Sequence, residues 1–84
     1  MLINETSDFK GDLEGLPKEV QILFAKQKRI FTDNWLDSRL HVKRIKELSG
    51  VYSFRITRRY RALFYFDKNY AILFKIGHRK DIYE

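Results

Sequence analysis

The sequence predicts an α+β domain: a short N-terminal strand and a two-helix hairpin packed on one face of a C-terminal antiparallel β-sheet meander. Three observations carry this. Apolar residues recur at helical spacing between Phe9 and Phe31, and from Val51 onward they alternate. The alternating segments are joined by turns of two or three residues, whereas parallel strands need connections of a dozen or more. The 84 residues form one domain, 1–84. A chain of this size buries only about 60% of its unfolded surface. Its core therefore depends on large side chains, which 7 Phe, 5 Tyr and 1 Trp supply.

Leu2-Ile3 opens a short strand. Thr6 or Ser7 caps the first helix, because a short hydroxyl side chain accepts from an unpaired N–H of the first turn. Phe9, Leu13 and Leu16 form its apolar stripe. Pro17 suits the first turn of a second helix, where its missing N–H costs nothing. There Val20, Leu23, Phe24, Gln27, Ile30 and Phe31 continue the stripe, and Asp33-Asn34 ends it. Leu40 to Ile45 reads either as a short edge strand or as an irregular basic segment. Tyr52, Phe54 and Ile56 then alternate with Ser53, Arg55 and Thr57 as a half-buried strand. Arg58-Arg59 is a turn, Tyr60 to Phe66 a second strand, Asp67-Lys68-Asn69 a turn and Tyr70 to Ile76 a third strand. Gly77 lets the chain leave that strand at a bend. With the helices on one face, the other face is expected to be open and to carry Arg55 and Arg61.

Composition excludes several classes. Without Cys, and with only 2 His, there is no disulfide framework and no thiolate metal site, so no metal is expected. The longest apolar run is far short of the roughly 20 residues of a membrane span. The N-terminus also lacks the basic-then-apolar pattern of a secretory signal, so a cytoplasmic protein with no membrane partner is expected. The net charge of +6 is unevenly spread. Residues 1–38 carry 5 basic against 7 acidic side chains, and residues 39–84 carry 12 against 4. Such a split attracts polyanions, nucleic acid first; the plainer alternative is a solvated basic face.

Two guanidiniums on one sheet face repel unless an anion sits between them, and phosphate matches the planar donor fork of Arg. Pairing of Arg55 and Arg61 with Asp67 or Glu47 is the competing reading. The terminus brings His78, Arg79 and Tyr83 within six residues. His gives or takes a proton near neutral pH, Arg stabilises a phosphorane, and Tyr stacks on a base or donates a proton. Cleavage of RNA by its own 2′-OH needs that set and requires no metal or other cofactor. Alternatively, His78 prolongs the Ile72, Phe74, Ile76 face and Tyr83 is a packed aromatic tail. His41 reads as structural or surface. No Ser/His/Asp set, Gly-rich phosphate loop or paired carboxylate motif is present.

Two helices followed by "LHVKRIKELSGVYSFRITRRYRALFYF" and "ILFKIGHRKDIYE" resemble the RelE/ParE superfamily of toxins from type II toxin–antitoxin systems, over essentially the whole chain. The most specific parts are the strand with Tyr60-Arg61 and the Gly77-His78-Arg79…Tyr83 terminus. The resemblance implies a RelE-like fold and a metal-independent endoribonuclease, an mRNA interferase. Such an enzyme cleaves translated mRNA on the ribosome and leaves a 2′,3′-cyclic phosphate. It also implies Arg61 as the strand arginine on the scissile phosphate, Arg55 as a basic strand residue, Arg79 and Tyr83 as catalytic, and His78 as the terminal histidine of several relatives. Where some RelE toxins carry two lysines on the first sheet strand, the alternation here gives Ser53 and Arg55, so the second basic group is assigned to Lys43 or Lys46. Arg stays protonated and makes a poor base, which makes His78 the first candidate for that role. The implied partners are a cognate antitoxin, the ribosome and mRNA, with operator DNA reached only through the antitoxin. Two alternatives remain open: a ParE-like gyrase inhibitor, which shares the fold but tends to lack this terminus, and a non-catalytic RNA- or ribosome-binding module.

Overall fold

The computed structural model describes residues 1–82. Strand β1 (Leu2–Glu5) leads into helices α1 (Ser7–Glu14) and α2 (Lys18–Asp33). A single 3₁₀ turn (Ser38–Leu40) precedes the edge strand β2 (Lys43–Arg44). Strands β3 (Val51–Arg55), β4 (Tyr60–Asp67) and β5 (Tyr70–His78) follow, and α3 (Arg79–Ile82) ends the described chain. The five strands form one sheet in the order β1-β5-β4-β3-β2. β2 to β5 are antiparallel, as expected of a meander. β1 runs parallel to β5, Leu2 opposite Tyr70 through Glu5 opposite Leu73, so the sheet is mixed. The two helices between β1 and the later strands supply the length that a parallel pairing requires.

The helices begin and end where local chemistry dictates. Thr6 Oγ1 accepts from Phe9 N at 3.1 Å and caps α1. Pro17 is the residue before α2, and Asn34 closes that helix in an extended conformation. Phe9, Val20, Phe24 and Phe31 face the sheet and meet Phe54, Ala62, Phe64, Leu73 and Ile76 in the main core. Phe31 holds its centre, stacked on Phe54 at 4.6 Å between ring centroids and edge-on to Phe64 at 4.8 Å. Leu23, expected on the buried stripe, is instead exposed.

Gln27 is the polar member of that stripe. It is buried, and its Nε2 donates to Arg55 O at 2.8 Å and Arg39 O at 3.2 Å. One amide thereby ties α2 both to the end of β3 and to the 3₁₀ turn.

Three expectations about the sheet are corrected. The face away from α1 and α2 is not open, because Ile45, Leu63 and Ile82 bury one another there, flanked by Val51 and Phe74. The apolar residues of β5 also do not form one Ile72, Phe74, Ile76 face. A register shift falls between Leu63 and Phe64, which pair with Lys75 and Leu73 and leave Phe74 as an extra residue. Leu73 and Ile76 consequently both face the helices, while Phe74 joins the second cluster. Gly77, expected at a bend, lies inside β5 opposite Arg61. A Cβ there would stand 3.4 Å from Ile82 Cγ2, so the glycine gives Ile82 room to fold back over the strand.

Candidate nucleic-acid interface

The β3–β4 turn and the β5–α3 junction converge at one end of the sheet. The turn is built by Thr57, whose Oγ1 accepts from Arg59 N at 3.1 Å and Tyr60 N at 3.2 Å. This hydroxyl bracket holds Arg58 and Arg59 outward and exposed. Arg79 N donates to Arg59 O at 2.7 Å, which fixes the start of α3 against the turn. Tyr60 pairs with His78 across the ladder, with their rings edge-to-face at 5.5 Å.

Arg55, Arg58, Arg59, Arg79 and Lys80 all lie at this end of the sheet. Among the described residues none of the five pairs with a carboxylate; the ion pairs present are Lys28–Glu5 and Arg39–Asp37, elsewhere on the surface. Five cations without a counter-ion among the described residues offer a surface suited to a polyanion. Arg58 and Arg59, read from the sequence only as turn residues, belong to it. The signal that could have found them is a run of two arginines at a hairpin tip one strand away from His78.

The contact His78 makes at this junction assigns its tautomer from geometry. Its Nδ1 accepts from Lys80 N at 3.2 Å, so the neutral ring carries its proton on Nε2. The nitrogen left for a substrate is therefore a donor. Abstracting a proton with Nε2 requires the tautomer to invert and the Lys80 bond to break.

Arg61 departs furthest from expectation. It does sit on the face away from α1 and α2, directly opposite Arg55, but it is only 4% exposed. Its Nε donates to Ser53 Oγ at 2.9 Å, and its Nη2 donates to the carbonyl of His41 and, at 3.4 Å, to that of Ser53. The expected open phosphate clamp is here a buried guanidinium held by protein oxygens. Lys43, opposite Ser53, and Lys46 are exposed on and just beyond the edge strand. Ser53 lies two residues from Arg55, about 7 Å along a strand, so this basic segment and Arg55 can serve one extended ligand. Tyr83 lies outside the described residues. Among the described residues no group of three or more His, Cys, Asp or Glu is placed to hold a metal ion, and no helix is long and apolar enough to cross a membrane.

No protein-family model matches the chain, and no curated relative does either. Solved structures match it over nearly its whole length. RelE in the RelB–RelE antitoxin–toxin complex of Methanococcus jannaschii superposes with a TM-score of 0.77 at 23% identity, covering 95% of this chain and 94% of that one. RelE of the RelE–RelB complex from Pyrococcus horikoshii OT3 gives 0.75 at 16%, covering 93% of each. YafQ from E. coli gives 0.78 at 10%, covering 98% and 97%. The chain has the RelE-like fold of the RelE/ParE toxins.

Proposed function

We propose that this protein is the toxin of a type II toxin–antitoxin pair and cleaves mRNA on the translating ribosome. In this reaction a 2′-OH gives up its proton to solvent as it attacks the adjacent phosphorus, the P–O5′ bond breaks, the 5′-oxygen takes up a proton from water, and a 2′,3′-cyclic phosphate forms. The observation that carries the reading is the group of five cations with no carboxylate partner among the described residues, beside a histidine whose Nδ1 is taken by Lys80 N. The cations counter the charge that builds on the phosphorane oxygens, a contribution that grows toward the transition state. The Nε2–H of His78 makes a hydrogen bond to the leaving oxygen or a phosphate oxygen, and Arg79, with Tyr83 as its expected companion, flanks it. Lys43 and Lys46 bind the RNA backbone. No strong general base stands among these residues, so ribosomal positioning of the 2′-OH for in-line attack is part of the reading; positioning of this kind supplies several kcal/mol.

The partner is a cognate antitoxin, by analogy with the RelB–RelE complexes and with the E. coli DinJ–YafQ toxin–antitoxin complex. Exposed Ile22 and Leu23 on α2, and Tyr65, Phe66 and Tyr70 at the β4–β5 hairpin, offer apolar surface for an amphipathic antitoxin segment. The protein acts in the cytoplasm, and operator DNA is reached only through the antitoxin.

The test is induction in cells with mapping of transcript 5′ ends. Cuts inside translated frames, with arrested translation, are expected. One structural relative is a YoeB/ParE toxin from Agrobacterium tumefaciens, so the rival outcome is specific: normal translation with supercoiling defects establishes a gyrase inhibitor. Ribosome binding without cuts establishes a non-catalytic module.

A further inference from the structure

We propose that Arg61 is a positioning residue: through the carbonyl of His41 it holds the edge strand, and with it Lys43 and Lys46, where those lysines meet RNA phosphates. The inference rests on the reading of this surface as an RNA contact.

Leu40 and Val42 pack into the main core on either side of His41, but the edge strand itself has little backbone pairing to hold it. β2 is two residues long, with Lys43 opposite Ser53 and Arg44 opposite Tyr52. Its far end is secured, because Ile45 N donates to Val51 O at 2.9 Å and the Ile45 side chain is buried against Leu63 and Ile82. Its near end begins at His41, which has φ 46° and ψ 52°. That left-handed conformation is uncommon outside glycine, although histidine adopts it more readily than most residues, and neighbouring contacts help to hold it. The described contact that reaches the carbonyl of this residue is the Arg61 guanidinium.

Arg61 suits this task. The same fork donates Nε to Ser53 Oγ on β3 and Nη2 to His41 O, so one rigid plane spans the strand and the loop. A lysine ammonium is a point donor and cannot reproduce both directions. At 4% exposure the guanidinium is out of reach of a backbone lying on the surface, whereas Lys43 and Lys46 are exposed. Arg61 thus acts on RNA through the segment it holds.

The experiment combines Arg61→Lys, Ser53→Ala and the pair Lys43→Ala/Lys46→Ala in a mutant cycle. Affinity for purified ribosomes is read as a function of salt, and amide hydrogen exchange is read at residues 43–45. Arg61→Lys is expected to weaken ribosome binding several-fold and to lower the salt slope by about two, as the double alanine does. Adding the double alanine to Arg61→Lys should cost nothing further. Exchange at 43–45 should rise at least tenfold while the β4–β5 ladder stays protected, and Ser53→Ala should move both readouts in the same direction by less. Losses that add across the cycle would mean that Arg61 touches RNA itself and would overturn the proposal, as would unchanged exchange at 43–45. If the double alanine alone leaves binding intact, the RNA reading of this strand fails and the proposal falls with it. The exchange data separate that case from a clamp that does not hold.

Discussion

Arg55 and Arg61 stand directly opposite each other across the β3–β4 ladder, yet only Arg55 reaches solvent. Side by side on one face, they differ in what surrounds them. Arg55 ends its strand beside the open turn, while Arg61 is roofed by the loop at His41. The same residue type at paired positions therefore has two different jobs, and substitution should separate them.

Arg55→Ala should leave thermal unfolding nearly unchanged, within about 0.5 kcal/mol, as for most surface substitutions. It should weaken ribosome binding and flatten its salt dependence. Arg61→Ala should destabilise the fold by about 2–4 kcal/mol, because it removes charge-assisted hydrogen bonds and opens a buried volume. Denaturant titration of both variants checks the contrast; equal stability would mean that Arg61 is not the fastener its contacts describe.

His78→Ala should lower the single-turnover cleavage rate on a programmed ribosome by about 10²–10³, the range for losing one donor to developing negative charge. Ribosome affinity should change much less. Gln at this position keeps an N–H and should recover part of the rate, whereas a residue that served only as a base would recover none.

Arg58→Ala and Arg59→Ala, alone and together, should weaken ribosome binding while the turn persists, since Thr57 holds it through backbone N–H groups. Each lost phosphate contact should reduce the slope of log affinity against log salt by about one. A slope unmoved by the double substitution removes the turn from the interface.

Gln27→Leu should cost about 1–3 kcal/mol, the penalty for leaving buried backbone carbonyls unsatisfied. It strands those of Arg55 and Arg39 together. Unfolding should register the loss, and amide exchange near Arg39 should rise with it.

Asp37 provides a pH test. The hydrogen bonds from Arg39 hold its carboxyl at about 2, below its ordinary 3.8. The folded state binds this proton less readily than the unfolded chain. Its stabilising effect is therefore complete above about pH 4 and is lost as pH falls toward 2. Asp37→Asn should flatten that part of the stability profile, and direct NMR titration of the Asp37 carboxyl should place its midpoint near 2.

Periodicity made the helices, the meander and the main core legible, because Phe9, Phe24, Phe31, Phe54 and Phe64 follow the repeats of their own elements. The pairing of β1 was not legible: four residues carry no signal for which strand they will join. The shift at Leu63/Phe64 was hidden for a related reason, since an extra residue in one strand is visible only against its partner. Of the candidate site, His78 and Arg79 do converge with Arg55. The burial of Arg61 depends on where a loop 20 residues earlier in the chain comes to rest, and alternation along a strand says which face a side chain takes but not what covers that face. Arg58 and Arg59 were passed over because turn chemistry explained them first.

The extra residue in β5 also fixes the handedness of the reactive end. Ahead of Phe74 the odd-numbered residues Ala71 and Leu73 point toward the helices; after it the even-numbered Ile76 does, and His78 with it. Delete that one phenylalanine and Lys75 follows Leu73 in plain alternation, with Ile76 and His78 still on the helix side beside Tyr60; keep it in a ladder without the bulge, and the imidazole emerges on the opposite side of the sheet. The chain thus sets the parity of its terminus with a residue whose own side chain packs in the second cluster. A one-residue slip more than a dozen ångströms along the strand from His78, by the rise of roughly 3.3 Å per residue, would act as a half-turn of the whole arrangement, and the bulge is what absorbs it.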